Sequence, residues 1–386
     1  MEIEHYVINE THRIQTQQLD VYPRFLFGPG PSNAHPRILQ AMSMRMVGHL
    51  DPQFLALMDE IQELLRYAWQ TDNRFTIPVS GTGSAAMEAS LANLIEPGDK
   101  ILVGVNGYFG NRMVDMAERY GAEVHQLRCP WGEVFSLEEI RQGLEKYRPA
   151  ILGLVHAETS TGACQPFDGI GDLCRQYDCL LLADTVTSLG GVPLLLDAWK
   201  IDVAYSGSQK CLNCPPGIAP LTLGDRALAK LKKRKSKVAN WYLDMTMLMN
   251  YWGENRTYHH TAPINMNYGL REALRIVAEE GLEARWKRHQ TIAQSLWDGL
   301  AEMDLACHVA REYRLPSLTT VVIPEGVDDK AVRQRLLKEF NIEIAGGLGE
   351  LSGKVWRVGL MGFNSRSASV ALLLSALKIA IAGAGK

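Results

Sequence analysis

An acidic and a basic residue lie at the ends of two successive strand-like segments. Asp184 follows the apolar residues 180–183, and Lys210 comes 26 residues later, at the end of the run Ser-Gly-Ser-Gln-Lys. In open α/β sheets, ligands bind beyond the carboxyl ends of the strands, so both side chains can face one crevice. This pairing suits pyridoxal 5′-phosphate (PLP), whose aldehyde bonds to a lysine and whose ring nitrogen needs a carboxylate to hold its proton. On spacing alone, a surface ion pair is the more frequent explanation.

A run of small residues follows another strand-like segment. Residues 75–79 are β-rich, and the run SGTGSAA comes directly after them. Small residues let the backbone approach an anion, and the free amides at a helix start bind phosphate. The same letters nearly fit a dinucleotide fingerprint through Gly81, Gly83 and Ala86, with Asp99 18 residues after Gly81. A phosphate cradle, a nicotinamide-binding loop and a purely structural turn are therefore three interpretations of this segment.

Strand-like and helix-like segments alternate through most of the chain. Residues 53–70 carry apolar side chains at helical spacing and predict an amphipathic helix. Helical segments then alternate with short β-rich ones at residues 75–79, 101–105, 123–127, 151–155, 180–183 and 203–206. This alternation predicts an α/β fold, with a mainly parallel mixed sheet between helices.

The last third of the chain follows a different pattern. A helical pattern runs from about residue 270 to 300, and the later segments alternate between strand-like (318–323), helix-like (330–340) and strand-like (355–360) before a C-terminal helix. This order predicts a smaller C-terminal α+β domain. The predicted division is an N-terminal arm at 1–21, a large PLP-binding domain at 22–280 and a small domain at 281–386.

The composition is that of an ordinary globular protein and narrows the choice of partners. Apolar residues make up 46% and charged residues 22% of the 386, which excludes a disordered, collagen-like or coiled-coil chain. Forty basic and 43 acidic residues leave a net charge of −3, so no nucleic-acid partner is expected. The longest uncharged stretches have 14 residues, too few to span a membrane as a helix. The acidic start Met-Glu-Ile-Glu does not resemble a signal peptide, so we expect small-molecule partners and a cytoplasmic location.

Two further features predict no site. Cys211 and Cys214 form a CxxC pair, but no second pair or histidine lies at metal-ligand spacing, so we expect no metal. The basic residues between 230 and 237 are most simply explained as a solvated helix face.

Longer motifs give the chain a family resemblance. They run in order along nearly the whole sequence: FGPGPSN from Phe27, SGTGSAAMEASLANLIEPGD from Ser80, NGYFGNR from Asn106, HAETSTG from His156, LLLADTVTSLGG from Leu180, YSGSQKCLNCPPG from Tyr205, YHHTAP from Tyr258, IAGGLG from Ile344 and VWRVGL from Val355. Together they resemble the fold-type I, class V aminotransferases. The resemblance implies a PLP-dependent enzyme that moves the amino group of alanine or serine to glyoxylate or pyruvate in a ping-pong cycle.

The resemblance also implies roles for individual residues. Lys210 matches the Schiff-base lysine and Asp184 the partner of the ring nitrogen. The other implied cofactor contacts are Thr82, Gly83, Ser84 and Gln209 at the phosphate, Phe109 and Val186 on the ring faces, and Thr159 near the ring oxygen. Phe109 stands where the family usually has tryptophan, so stacking is retained and an indole hydrogen bond is lost.

Substrate binding and assembly follow from the same resemblance. Arg357 is implied to bind the substrate α-carboxylate, because a guanidinium can grip a carboxylate through two parallel hydrogen bonds. Gly30, within a glycine- and proline-rich loop, is expected at the mouth of the site. Tyr258 and Thr261 would reach the phosphate of the neighbouring subunit, which implies a homodimer with shared active sites.

Two other enzyme classes are alternatives to the aminotransferase. A cysteine-desulfurase-type PLP lyase would need a thiol on a mobile loop, and Cys307 lies early in the predicted small domain. A nicotinamide-dependent dehydrogenase would use the glycine-rich loop but leave Lys210 without a role. The resemblance along the whole chain favours transamination over both.

Overall fold

The computed structural model describes residues 7 and 9–383. In chain order the strands are β1 (Phe25–Leu26), β2 (Phe75–Ser80), β3 (Lys100–Val105), β4 (Glu123–Arg128), β5 (Ile151–Val155), β6 (Ala157–Glu158), β7 (Ala163–Cys164), β8 (Leu180–Asp184), β9 (Val203–Tyr205), β10 (Ile218–Leu223), β11 (Leu318–Val322), β12 (Ile342–Glu343), β13 (Ala345–Gly346) and β14 (Val355–Gly359). The α-helices are α1 (Pro36–Met42), α2 (Pro52–Trp69), α3 (Gly83–Leu94), α4 (Tyr108–Arg119), α5 (Leu137–Tyr147), α6 (Ile170–Gln176), α7 (Asp225–Lys232), α8 (Met245–Trp252), α9 (Ile264–Glu280), α10 (Leu282–Ala301), α11 (Asp329–Phe340) and α12 (Ser367–Ala382).

The central sheet has the strand order β2-β10-β9-β8-β5-β3-β4. Its strands run parallel except for β10, which is antiparallel to both of its neighbours. Residues along β5 and β8 are buried throughout, as expected for parallel strands that are covered on both faces. The predicted α/β fold with a mainly parallel mixed sheet is confirmed. The sequence analysis placed no strand at β10, where Pro220 interrupts the apolar run and cannot donate to a ladder.

Helices cover both faces of the central sheet through two apolar clusters. One cluster joins the sheet to α3, α4 and α8, and the other joins it to α5, α6 and α9. Helix α2 contributes to both, and it confirms the amphipathic helix predicted at 53–70. Asp51 starts this helix by accepting a hydrogen bond from the amide of Gln53, and Gln70 ends it in a left-handed conformation.

The helical pattern predicted as one segment from about 270 to 300 is divided in the structure. Helix α9 ends at Glu280, α10 begins at Leu282, and Gly281 between them has φ of 80°. Glycine adopts this left-handed backbone without a steric penalty, so it ends the first helix and lets the chain change direction. The apolar period continues on both sides of Gly281, which explains why the break was missed.

The C-terminal elements build a second apolar core. Strands β11, β14 and β13 form an antiparallel sheet, and residues of α10, α11 and α12 pack together in the same cluster. Phe27 from the N-terminal part of the chain also belongs to this cluster. The boundary proposed at residue 281 stays a prediction.

The predicted arm at 1–21 is only partly described. Residues 7 and 9–21 are exposed, and the other residues of the arm lie outside the described part of the chain. Among the described residues, no helix combines the length and the hydrophobicity needed to cross a membrane.

Candidate active site

A cavity opens beyond the carboxyl ends of β5 and β8, next to the first residues of α3 and α4. The predicted cofactor residues that line it are Thr82, Gly83, Ser84, Phe109, Thr159, Asp184, Val186, Gln209 and Lys210. Met87, Arg112, Val155 and Ala157 complete the lining. The structure therefore gathers nine of the eleven predicted cofactor residues, which come from five separate stretches of the chain, around one space.

Asp184, the last residue of β8, provides a buried carboxyl group. Its Oδ1 accepts a hydrogen bond from the Val186 amide and its Oδ2 from the Tyr205 hydroxyl, each at 2.9 Å. Burial raises the pKa of Asp184 to about 6, although both hydrogen bonds act in the opposite direction. A carboxylate in this position favours a cationic ligand atom, because a nearby positive charge offsets the cost of burial.

Lys210 provides an equally buried amine. Its side chain donates a hydrogen bond to the carbonyl oxygen of Pro29. Burial lowers the pKa of Lys210 to about 8, and the positive charge of Arg357 acts in the same direction. The folded protein thus holds more of Lys210 as the neutral amine, which is the form that attacks a carbonyl carbon.

The amino-terminal end of α3 forms a cradle for an anion. Thr82 precedes the helix in an extended conformation, and Gly83 and Ser84 form its first turn. The first amides of a helix have no acceptor within the helix, so they are available to a ligand. Gln209 lines the same cavity, and among the described atoms its buried Oε1 has no hydrogen-bond partner. This oxygen accepts hydrogen bonds and would need a donor, whereas the amide nitrogen of the same side chain is the group that can donate to an anion.

Apolar side chains and a hydroxyl group border the rest of the cavity. The Phe109 ring and the Val186 side chain both line it. The Thr159 hydroxyl also lines it and shares a hydrogen bond with the Thr187 hydroxyl at 2.5 Å. This combination suits a flat aromatic ligand that carries polar substituents.

These observations fit PLP. The α3 cradle and Gln209 would hold the phosphate, Asp184 the ring nitrogen, and Phe109 and Val186 the ring. When bound, PLP supplies an aldehyde that takes up an amino group and a protonated ring that accepts electrons from the substrate carbon. Lys210 is the amine in the cavity that can bond to the aldehyde.

Four predicted site residues, Tyr258, Thr261, Gly30 and Arg357, are not among those that line the cavity. Tyr258 is 57% exposed and its ring lies 5.2 Å from that of His49, and Thr261 is also exposed. Neither lines the cavity of its own chain, so their contribution to a neighbouring subunit stays a prediction. Gly30 lies directly against the Lys210 side chain.

Arg357 lies on β14, outside the residues that line the cavity. Its Nε donates to the Gly346 carbonyl oxygen at 2.8 Å. Among the described residues, no carboxylate oxygen lies within 4 Å of its guanidinium, although the charge of Glu158 acts on it from farther away. Burial lowers the pKa of Arg357 to about 10, so it remains cationic at neutral pH.

Two charged residues at the site were missed by the sequence analysis. Glu158 is fully buried, and its carboxylate accepts hydrogen bonds from the amides of Phe109 at 3.0 Å and Ser160 at 2.9 Å. Arg112 lines the cavity and donates to the Ser84 hydroxyl. Both residues lie inside the quoted motifs HAETSTG and NGYFGNR. The signal in the sequence that could have identified them was a charged residue within a run of small and polar residues.

The lowered pKa of Lys210 predicts how its reaction depends on pH. Its ordinary pKa is 10.5, so between about pH 8 and 10.5 the amine is mainly neutral only in the folded protein. We expect the rate at which Lys210 captures added PLP to rise about tenfold per pH unit below about pH 8 and to level off above it. Stopped-flow absorbance of the cofactor-free protein measures this rate. A rate that still rises steeply at pH 10 would contradict the lowered pKa.

Gly30 keeps the space that Lys210 occupies. A Cβ there would lie 2.6 Å from Lys210 Cδ and 2.7 Å from Nζ, and Gly30 has φ of 104°. We therefore expect Gly30→Ala to displace the amine and slow PLP capture by about 100-fold. Gly48→Ala is the matched control, because a Cβ at Gly48 would meet no atom within 4 Å. Capture by G30A at the rate of the control would show that the loop moves aside without consequence.

Comparison with known proteins identifies the family of this chain. The chain matches the family model for aminotransferase class-V over residues 24–364. An alanine--glyoxylate aminotransferase from Mus musculus is 46% identical over 370 residues, which cover 95% of this chain and 89% of that protein. A crystal structure of alanine--glyoxylate aminotransferase from Nostoc sp. has a TM-score of 0.96 and 64% identity, covering 97% of this chain and 100% of that one. A ureidoglycine-glyoxylate aminotransferase from Bacillus subtilis has a TM-score of 0.94 and 42% identity, covering 95% of both chains. Since the likeness extends over nearly the whole chain and includes the stretches that build the cavity, the protein is a PLP-dependent aminotransferase of the class V family.

Proposed function

We propose that the enzyme transfers the amino group of alanine or serine to glyoxylate or pyruvate in a ping-pong cycle. The observation that carries this proposal is the cavity in which a buried Asp184 and a buried Lys210 meet a phosphate cradle. The relatives from Mus musculus and Nostoc sp. are named for alanine and glyoxylate. The Bacillus subtilis relative is named for ureidoglycine and, again, glyoxylate. Glyoxylate is therefore the best supported acceptor.

Each residue at the site has a distinct task in this reaction. Neutral Lys210 would act as the base that removes the proton from the substrate Cα, which requires its amine within about 3 Å of that atom. Asp184 keeps the ring nitrogen protonated while negative charge develops, and its hydrogen bonds from Val186 and Tyr205 fix its orientation. Arg357 binds the substrate carboxylate and so orients the Cα–H bond toward the amine.

A panel of donors against acceptors tests the proposal. Alanine, serine and ureidoglycine serve as donors, and glyoxylate, pyruvate and hydroxypyruvate as acceptors, with each half-reaction followed by absorbance. The proposal expects alanine or serine to convert the enzyme to its aminated form, and glyoxylate or pyruvate to restore it. Fast amination by ureidoglycine alone would replace the proposed donor, and hydride transfer to a nicotinamide would overturn the reaction class.

Substitution of Arg357 tests substrate binding. Lysine keeps the charge but loses the planar pair of donors that matches a carboxylate. We expect Arg357→Lys to raise the KM for the amino donor about 10- to 100-fold, because hydrogen bonds to charged groups contribute about 1.5–3 kcal/mol. The absorbance of bound PLP should not change, since Arg357 does not line the cofactor cavity. The control is Arg141→Lys on α5, whose exposed guanidinium pairs with Glu138. An unchanged KM in R357K would remove Arg357 from the substrate site.

We also infer that the active enzyme is a homodimer in which Tyr258 and Thr261 of one subunit reach the phosphate of the other. Both residues are exposed and neither lines the cavity of its own chain, which supports this. Mixing a Lys210→Ala subunit with a Tyr258→Phe/Thr261→Ala subunit tests it. If the residues act across the interface, the hybrid contains one intact site and regains activity that neither parent has. If the hybrid regains nothing, each subunit uses its own Tyr258 and Thr261 or none.

A further inference from the structure

Arg112 brings a positive charge to the phosphate end of the cavity. It lies on α4, lines the cavity, and its Nη1 donates to the Ser84 hydroxyl at 2.9 Å. Ser84 belongs to the first turn of α3, so this hydrogen bond places the guanidinium beside the anion cradle. Among the described residues, no carboxylate oxygen lies within 4 Å of Arg112. Its guanidinium therefore forms no direct ion pair within the described part of the chain.

The cradle itself carries no charged side chain. Thr82, Gly83, Ser84 and Gln209 offer neutral groups, whereas a phosphate monoester carries between one and two negative charges at neutral pH. The cationic side chains in the described lining are Arg112 and Lys210. Lys210 is directed to the Pro29 carbonyl oxygen and is needed for the chemistry. Arg112 is thus the cation that remains available to balance the negative charge of the phosphate.

We propose that Arg112 is a phosphate ligand of the cofactor, with Ser84 holding its guanidinium in place. Several of the guanidinium N–H groups remain after the bond to Ser84, and their planar arrangement suits two phosphate oxygens. The inference rests on the PLP-binding part of the proposed function and extends it to a residue on a second helix. It joins α3 and α4 through the anion, so the ligand would stabilise the contact between them.

A second role for Arg112 must be separated from this one. Its guanidinium carbon lies 4.7 Å from the centre of the Phe109 ring and 5.4 Å from that of Tyr108. Arg112 could therefore act only by holding Phe109 against the cofactor ring. A phosphate ligand distinguishes PLP from pyridoxal, which lacks the phosphate, whereas a residue that only supports the ring affects both compounds alike.

Affinity measurements with both compounds test the proposal on the full-length cofactor-free protein. We expect Arg112→Gln to weaken PLP binding about 10- to 100-fold, as for loss of a charge-assisted hydrogen bond, and to leave pyridoxal binding within about threefold. Arg112→Lys retains the positive charge but lacks the planar guanidinium. We therefore expect it to weaken PLP binding less than Arg112→Gln does. Arg119→Gln is the matched control, since Arg119 lies on the same helix, is exposed and pairs with Asp115. Circular dichroism and thermal unfolding establish which variants fold, and R112K serves if R112Q does not.

Each outcome decides the matter. A selective loss for PLP in a folded variant supports the phosphate contact. Equal weakening of PLP and pyridoxal, or no change in either, overturns it. If the unsubstituted protein binds neither PLP nor pyridoxal, the proposed function itself is contradicted. This outcome is distinct from a failure of the assignment of Arg112.

Discussion

Lys210→Ala should abolish both the visible absorbance of bound PLP and turnover. The substitution removes the amine that bonds to the aldehyde and, in the same atom, the base that moves the Cα proton. General base catalysis alone contributes about 10²- to 10⁴-fold, so we expect turnover to fall by at least about 10⁴-fold when both tasks are lost. PLP can still bind through the phosphate cradle and Asp184, and it should then be removable by gel filtration.

The absorbance spectrum and the single-turnover rate with alanine measure this effect. Lys232→Ala is the matched control, because Lys232 is an exposed lysine at the end of α7. Normal absorbance and turnover in K210A would show that another amine holds the cofactor. That result would contradict the assignment of this cavity as the active site.

Asp184→Asn should reduce kcat about 100- to 1,000-fold while PLP remains bound. The amide has nearly the same shape as the carboxyl group, and its oxygen can still accept a hydrogen bond from the Val186 amide. It cannot supply the negative charge that keeps the ring nitrogen protonated, and the loss of one preorganised electrostatic contact at a reacting group typically has this magnitude. The effect should appear in kcat more than in the KM for the donor.

Steady-state kinetics and the pH dependence of the cofactor absorbance test this prediction. In the unsubstituted protein the charged form of Asp184 is present above its raised pKa of about 6 and is lost as pH falls through that value. A protonated ring nitrogen beside Asp184 would act against this shift and lower the pKa, because a nearby positive charge favours the carboxylate. The control Asp172→Asn removes an exposed carboxylate that pairs with Lys200. If D184N keeps full kcat, the ring nitrogen does not depend on this carboxylate.

Many helices and strands could be predicted, because their formation depends on residues that are close together in the chain. Helix α5, for example, begins with a capping box of Ser136 and Glu139, which depends only on two residue types three positions apart. The six strands predicted for the central sheet are present, because short β-rich segments that alternate with helical ones can be recognised in the sequence. Strand β10 and the break at Gly281 were missed, since the apolar pattern conceals both.

The candidate site was predictable only in part. The positions of Asp184 and the cradle at α3 follow from local rules, because each lies where a strand ends or a helix begins. The contact between Gly30 and Lys210 joins residues far apart in the chain, and so does the hydrogen bond from Arg112 to Ser84. Rules of periodicity and spacing describe residues that are close in the sequence, and they do not identify such pairs. These two contacts could therefore not be inferred before the fold was known.

The sequence by itself indicated the class of chemistry through its ordered motifs, whose resemblance to the class V aminotransferases favours transamination; the spacing of Asp184 and Lys210 alone did not decide it. Only the tertiary structure decided the electrostatic state of these groups. Burial raises the pKa of Asp184 and lowers that of Lys210, with Arg357 acting on Lys210 from another sheet. The free energy of a charged group depends on the solvent and on the other charges around it. Only the folded structure fixes these surroundings.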